Sequence, residues 1–185
     1  MIEVILLGID LAMDALAVSI VNGIKYKNYG KKQMFAASLS FGVFQAILPL
    51  LGYLIFTPFI KYVEKIDHWI VLIILGYIGI DMIKDSYKKE DIKEGNDSFT
   101  IKILLIESIA TAIDALSVGV TLPNLSVNPY VSCLIIGICT TIICIIGHML
   151  GKKIAMLLKN KALFLGGTIL IIIGIKEVLS GIGII

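Results

Sequence analysis

Residues 13–20 read MDALAVSI and residues 113–120 read IDALSVGV, so one short segment occurs twice in this chain. Each copy places one aspartate, Asp14 or Asp114, within a long run of apolar residues. A carboxylate in the hydrocarbon core of a bilayer costs several kcal/mol, so two in matching positions are predicted to have a function. The repeat also predicts that the chain consists of two halves derived from one ancestral unit.

The composition predicts a membrane protein. Of the 185 residues, 58% are hydrophobic, whereas soluble domains contain roughly 45–50%. Each of six apolar stretches is close to the roughly 20 residues that a helix needs to cross the hydrocarbon core. They lie near 3–24, 34–57, 67–83, 101–122, 129–151 and 162–184. We therefore predict an all-α integral membrane protein with six transmembrane helices. Residues 1–84 and 100–185 form the two halves, and the polar segment 85–99 links them in the cytoplasm.

The basic residues predict the orientation in the membrane. All 16 are lysines, and they are concentrated in the first, third and fifth loops, whereas the fourth loop (123–129) has none. The positive-inside rule places lysine-rich loops in the cytoplasm, so both termini are predicted to lie outside the cell membrane. The absence of arginine removes the usual residue for bidentate contacts with phosphates and bases, so we expect no nucleic-acid partner.

Further matches extend the repeat. Gly42 and Gly52 of the second stretch recur as Gly137 and Gly147 of the fifth. Because each half has three spans, an odd number, the second half enters the membrane from the opposite side and the halves form an inverted repeat. This symmetry predicts that both motif aspartates lie near the middle of the membrane, where transporters of this kind bind substrates.

The paired aspartates favour a divalent-cation site. Two facing carboxylates neutralise a doubly charged ion, and hard cations prefer oxygen ligands. Without the cation, two close carboxylates would not both stay ionised, so one of them should hold a proton. Entry of the cation would expel that proton, which suggests proton antiport. The alternative is that each aspartate is protonated and hydrogen-bonded, and serves only the packing of the helices.

Other polar residues in the apolar stretches are candidates for the same site. Asp10 lies one turn from Asp14, while Glu107 and Asp81 lie in the cytoplasmic half, where they could form an acidic vestibule; Glu107 could equally reach only the interface. Gln45, one turn before Pro49, is a candidate ligand, although Pro49 could simply kink its helix. Three hydroxyls are further candidates, and they could instead bond back to their own helices: Ser19, Ser117 and Thr111.

Lys176 is the only lysine well inside a predicted span. A buried ammonium group requires a carboxylate partner or loses its proton. By depth, the predicted partner is Asp10, with the adjacent Glu177 as the alternative.

These segments resemble a known family. MDALAVSI, FGVFQAILPLLG and ESIATAIDALSVGV look like segments of the bacterial and archaeal manganese efflux pumps, the MntP family, and the resemblance covers essentially the whole chain. It implies six spans in inverted halves and Mn²⁺ export, with Asp14 and Asp114 as the motif aspartates and Gln45 at a Gln-or-Glu position. Asp10 and Asp81 depart from the family pattern.

The leading hypothesis is therefore a secondary exporter of Mn²⁺, with the ion as substrate and no cofactor. The alternatives are an exporter of another divalent cation or a small solute, and a membrane scaffold that transports nothing. The chain shows no nucleophile–base pair, so we do not expect an enzyme. No Walker glycine spacing is present, so ATP-driven transport by this chain is not expected either.

Overall fold

The computed structural model describes residues 1–26, 30–54, 67–87, 100–125, 127–158 and 160–182. Within these ranges the chain forms seven α-helices and one 3₁₀ helix, Leu122–Asn124, and it contains no strand. The α-helices are α1 (Ile2–Lys25), α2 (Lys31–Leu54), α3 (Asp67–Tyr87), α4 (Ile101–Ala112), α5 (Ala115–Thr121), α6 (Pro129–Leu158) and α7 (Asn160–Gly181). The all-α class predicted from the sequence is confirmed. Most of the predicted linker, residues 88–99, lies outside the described residues.

Four of these helices are long and apolar enough to cross a bilayer: α1, α2, α6 and α7. The pair α4 and α5 qualifies as a fifth span if the two helices are counted together. The third predicted span, which corresponds to α3, does not meet these criteria, because three charged residues, Asp81, Lys84 and Asp85, are close together near its end. Within the described ranges the structure thus supports a multi-pass protein with four or five spans, and six remains a prediction.

The predicted fourth span is broken at its motif aspartate. Helix α4 ends at Ala112, α5 begins at Ala115, and the two axes differ by 41°. Across the break the Leu116 and Ser117 amides donate to the carbonyls of Ile113 and Asp114, three residues back. Apolar runs carry no signal for this break, and α1 passes through the matching position, Asp14, without interruption.

Contacts between helices fix their directions. Lys25, the last residue of α1, bonds Asp81 in the second half of α3, so these helices run the same way. Helices α1 and α3 begin at one end of the helix bundle, which we call the Met1 end. The opposite end is called the Lys25 end. Helix α4 begins at the Lys25 end, since its Glu107 bonds Asn22 of α1. Helix α7 runs in the same direction as α4 and ends at the Met1 end.

Glycines allow three of the helix pairs to approach closely. A Cβ atom on Gly42 would lie 2.5 Å from the Gly137 carbonyl oxygen, and one on Gly137 would lie 2.7 Å from that of Gly42. Elsewhere Gly52 packs on Leu116, and Gly147 packs on Leu16. These partners are the glycines and leucines that the sequence repeat equates. Helix α6 thereby packs along both α1 and α2, and α3 packs along α7.

Helix α1 shows how the sequence produces these interfaces. Its buried residues recur three and four positions apart, as in Val4, Gly8, Leu11, Ala15 and Val18, which places them on one face of the helix. The large apolar side chains on its other faces are exposed on the surface of the protein, as expected for side chains that contact lipid.

Candidate cation site

A cavity of about 260 Å³ lies between the two halves of the chain, and both motif aspartates line it. Asp14 comes from α1, and Asp114 comes from the break between α4 and α5. Toward the Met1 end, the lining consists of the start of α3 and the last turns of α7: His68, Val71, Glu177, Ser180 and Gly181. Because Ser180 and Gly181 are exposed, the cavity runs from the aspartates toward the Met1 end.

The register of α1 against α4 explains why the aspartates meet. The two helices are antiparallel and Asn22 lies opposite Glu107, so each step back along α1 matches a step forward along α4. Asp14 is eight residues before Asn22, and Asp114 is seven residues after Glu107. At about 1.5 Å per residue, both lie roughly 10–12 Å from the Asn22–Glu107 contact, at nearly the same depth.

Charged groups act on one another across this cavity. Asp114 experiences the charges of Asp14 and Glu177, and Asp14 experiences those of Asp10, Lys176 and Glu177. Acidic groups dominate, so the cavity attracts cations. Within the described ranges, no three His, Cys, Asp or Glu side chains come together as a ready metal cluster. A cation bound here would meet two aspartate carboxylates, and other oxygen atoms would have to complete its coordination shell.

Gln45 does not line the cavity, but a hydrogen bond to α1 holds it about one turn from Asp14. It is completely buried, and its Nε2 donates to the Leu11 carbonyl at 3.0 Å, one turn from Asp14. Its Oε1 meets no hydrogen-bond partner in the described part of the chain. An oxygen atom left without a partner in a buried position is available to a cation. Pro49 lies within the continuous helix α2.

The three candidate hydroxyls differ in position. Ser117 lines the cavity. Thr111 Oγ1 donates to the Glu107 carbonyl at 3.0 Å, so its hydroxyl bonds back to its own helix. Ser19 is completely buried beside the Cys144 thiol and does not line the cavity.

The expected contact between Asp10 and Lys176 is not formed. Lys176 Nζ lies 3.6 Å from Glu177 Oε1, the alternative partner, and its side chain is 63% exposed. Asp10 is exposed and lies outside the cavity lining. An exposed lysine needs no buried partner, because a long side chain reaches polar surroundings by itself.

Glu107 and Asp81 lie on the other side of the aspartates. Asn22 Nδ2 donates to Glu107 Oε2 at 2.6 Å, and Glu107 is only 1% exposed, so it does not reach an interface. Closer to the Lys25 end, Lys25 Nζ pairs with Asp81 at 3.2 Å. Neither acid lines the cavity.

Two residues in or near the site, Asn22 and His68, were not predicted from the sequence. Asn22 carried a signal, because it is an amide in an apolar helix, two turns beyond Asp14. His68 carried none, since a histidine at the start of a predicted span is as expected at a membrane surface as in a cavity.

Known proteins resemble the chain over almost its whole length. The sequence profile described as "Putative manganese efflux pump" matches residues 28–178. A protein of Campylobacter hominis named "Putative manganese efflux pump MntP" is 39% identical, covering 99% of this chain and 100% of the relative. Proteins with names of the same kind from Acetivibrio thermocellus and Clostridium botulinum are 39% and 44% identical, over 100% and 95% of this chain. No solved structure matches.

Proposed function

Since the chain belongs to the manganese efflux pump family, we propose that it exports Mn²⁺ by binding the ion between Asp14 and Asp114. One observation carries this proposal: two carboxylates from the two copies of one motif line the same cavity at nearly the same depth. Together they balance the charge of one divalent ion. Gln45 Oε1 and water are the oxygen atoms we assign to the remaining positions.

The same pair suggests how export is driven. When the cation leaves, two neighbouring carboxylates in a low-dielectric site keep one proton between them, because two bare negative charges repel. A cation that enters from the cytoplasm displaces that proton. We propose that Mn²⁺ leaves in exchange for protons that enter.

We propose that the chain crosses the membrane six times, as two inverted three-helix halves with the Lys25 end in the cytoplasm. The directions of the helices support this arrangement, as do the glycine contacts between positions that the repeat equates. Lysines of the described helix ends also support it, since Lys25, Lys31, Lys84, Lys102 and Lys152 lie toward that end. In this orientation the cavity opens to the outside, which corresponds to the release of the ion.

The test is the manganese content of cells that lack their own exporter. Cells that produce this chain should accumulate several-fold less manganese under Mn²⁺ challenge, and Asp14→Asn or Asp114→Asn should each abolish that effect. The amide preserves the shape of the side chain and removes its charge. Glu3→Gln is the matched control, since Glu3 is an exposed acid of the same helix.

Parallel challenges with Fe²⁺, Co²⁺ and Cd²⁺ test the choice of ion, because affinity alone favours the later transition metals. Full protection by an aspartate variant at normal expression would contradict the two-carboxylate site. Unchanged metal content with the unmodified chain would favour a scaffold.

A further inference from the structure

The contact between Asn22 and Glu107 is a buried polar pair that the proposed cation site does not use. We call these two residues the inner pair. Both are 1% exposed, and the 2.6 Å hydrogen bond from Asn22 Nδ2 to Glu107 Oε2 joins α1 to α4. The Asn22 Oδ1 atom is also buried, and no hydrogen-bond partner meets it among the described residues. A buried amide oxygen without a hydrogen-bond partner loses its hydration and destabilises the fold, so its presence needs an explanation.

The position of the inner pair is on the path between the aspartates and the Lys25 end. It lies about 10–12 Å from Asp14 and Asp114, which corresponds to two helical turns. The cavity lining reaches Ala110, one turn from Asp114 toward the Lys25 end, and does not include the inner pair. Beyond it, one turn further along α1, Lys25 pairs with Asp81. In the proposed orientation, the inner pair therefore separates the cation site from the cytoplasm.

The chemistry of the inner pair suits a proton better than a divalent cation. A divalent ion requires about six oxygen ligands and prefers two negative charges, whereas this site offers one carboxylate and one amide oxygen. The positive charge of Lys25 also acts on Glu107, and it opposes a doubly charged ion about twice as strongly as it opposes a proton. A proton needs only one carboxylate oxygen, and the resulting neutral acid costs little to bury.

Asn22 can serve Glu107 in both protonation states. Its amide N–H donates to the carboxylate, as in the structure. When Glu107 carries a proton, its O–H can donate to Asn22 Oδ1 after a rotation of the amide. The oxygen atom that now has no partner is thus the acceptor that the protonated form requires.

The other helices that pack against α4 leave this role to Glu107. Helix α2 contributes Ser40, which bonds Ser108, while its only charged residues, Lys31 and Lys32, are exposed in its first turn. Helix α3 contributes Asp81, which already pairs with Lys25. Neither helix places a second carboxylate in a described contact with the inner pair.

We propose that Glu107 carries the exchanged proton from the aspartates to the cytoplasm, with Asn22 as its hydrogen-bond partner in both protonation states. This inference rests on the proposed function. When a cation enters, the proton shared by Asp14 and Asp114 passes through water to the Glu107 carboxylate, which becomes a neutral acid. Both aspartates are then ionised around the cation. Glu107 releases the proton to the cytoplasm and returns to the carboxylate, so the one proton that the aspartates lose is accounted for and Glu107 is back in its starting state.

The experiment compares two kinds of transport in liposomes that contain the purified chain. One assay measures exchange of Mn²⁺ for Mn²⁺ at equal pH, which needs the cation site but no proton transfer. The other measures proton flux, with an internal pH dye, while a Mn²⁺ gradient drives transport. For Glu107→Gln we expect exchange within twofold of the unmodified chain and a loss of proton flux of at least tenfold. Glu107→Asp should keep part of the proton flux, because a carboxylate remains.

Ser108→Ala is the matched control, since this buried neighbour lies outside the inner pair, and it should keep both activities. If Glu107→Gln does not yield folded protein, Asn22→Leu tests the same pair and should reduce proton flux more than exchange.

The inference is overturned if Glu107→Gln keeps its proton flux, or if it loses exchange as severely as proton flux, which would assign Glu107 to the cation path. It is also overturned if the unmodified chain exchanges Mn²⁺ without moving protons. An unmodified chain that transports no Mn²⁺ would instead refute the proposed function, and this inference with it.

Discussion

Asp10 and Asp14 are only one helical turn apart, yet only Asp14 lines the cavity. Four residues place both side chains on the same face of α1, but Asp10 lies about 6 Å nearer the Met1 end, where it is exposed. The sequence predicted both as candidate ligands, because spacing along a helix says nothing about which neighbour covers each side chain. The repeat was more informative, since it identified Asp14 and Asp114 before any neighbour was known.

For Lys176, the depth in the membrane deduced from its position in an apolar stretch was misleading. Its span is apolar, but its side chain is exposed and lies beside Glu177 rather than Asp10. Sequence depth predicts burial only if the helix is surrounded, and the face of α7 that carries Lys176 is not.

This geometry gives a prediction for the pair. Asp10→Ala and Lys176→Ala should have additive effects on the free energy of unfolding, within about 0.5 kcal/mol, because residues without a shared contact do not couple. A double-mutant cycle on the purified protein, unfolded in mild detergent, measures this quantity. A coupling energy well above that value would mean that the two residues do form the ion pair that we first expected.

At the scale of the elements, helix positions were predictable and the break at Asp114 was not. The apolar runs located α1, α2, α7 and the start of α6 to within a few residues of the ends that the structure describes, because hydrophobicity over about 20 residues sets a span. Helix α6 extends to Leu158, further than the predicted 151. Lysine is a good helix former, so residues such as Lys152 continue the helix beyond the apolar run. The break depends on packing, since Gly119 of α5 lies directly on Pro49 of α2.

The glycine contacts between helices can be tested separately from transport. Gly42→Ala and Gly137→Ala should each destabilise the protein by about 1–3 kcal/mol, because the added methyl group would overlap a carbonyl of the facing helix. Thermal unfolding in detergent would measure the loss. Gly76→Ala is the control, because nothing lies within 4 Å of its added carbon atom. Alanine there should be neutral or stabilising, by up to about 1 kcal/mol.

If Gly42→Ala and Gly137→Ala were as stable as Gly76→Ala, helices α2 and α6 would not cross as closely as described. The two halves would then not pack against each other as matching units at this interface.

At the scale of the whole molecule, the distribution of lysines and the direction of each helix lead to the same orientation. The lysine-rich ends of the described helices meet at the Lys25 end, and the cavity opens at the other. The lysine content predicts a side of the membrane for each loop, because charge asymmetry is local, and this orientation stays a prediction. The sequence could not predict which side of the aspartates is open, because that depends on how the halves tilt against each other.

Cysteine labelling tests this orientation. In a background whose three natural cysteines are replaced by alanine, Lys31→Cys should react only with reagents that reach the cytoplasm. Pro123→Cys, in the 3₁₀ helix at the other side, should react with an impermeant reagent in intact cells. Both positions are exposed in the structure, so access to the reagent is not limited by packing. The opposite labelling pattern would place the cavity on the cytoplasmic side and reverse the direction assigned to release.

The central claim is that Asp14 and Asp114 together hold one divalent cation, and a count of bound ions tests it most directly. Electron paramagnetic resonance of free Mn²⁺, titrated with the purified chain in detergent, gives the number of ions bound per chain. We predict one ion per chain, with affinity reduced at least tenfold in Asp14→Asn and in Asp114→Asn and unchanged in Glu3→Gln. Binding of one ion with unchanged affinity in the variant that carries both aspartate substitutions would contradict the claim.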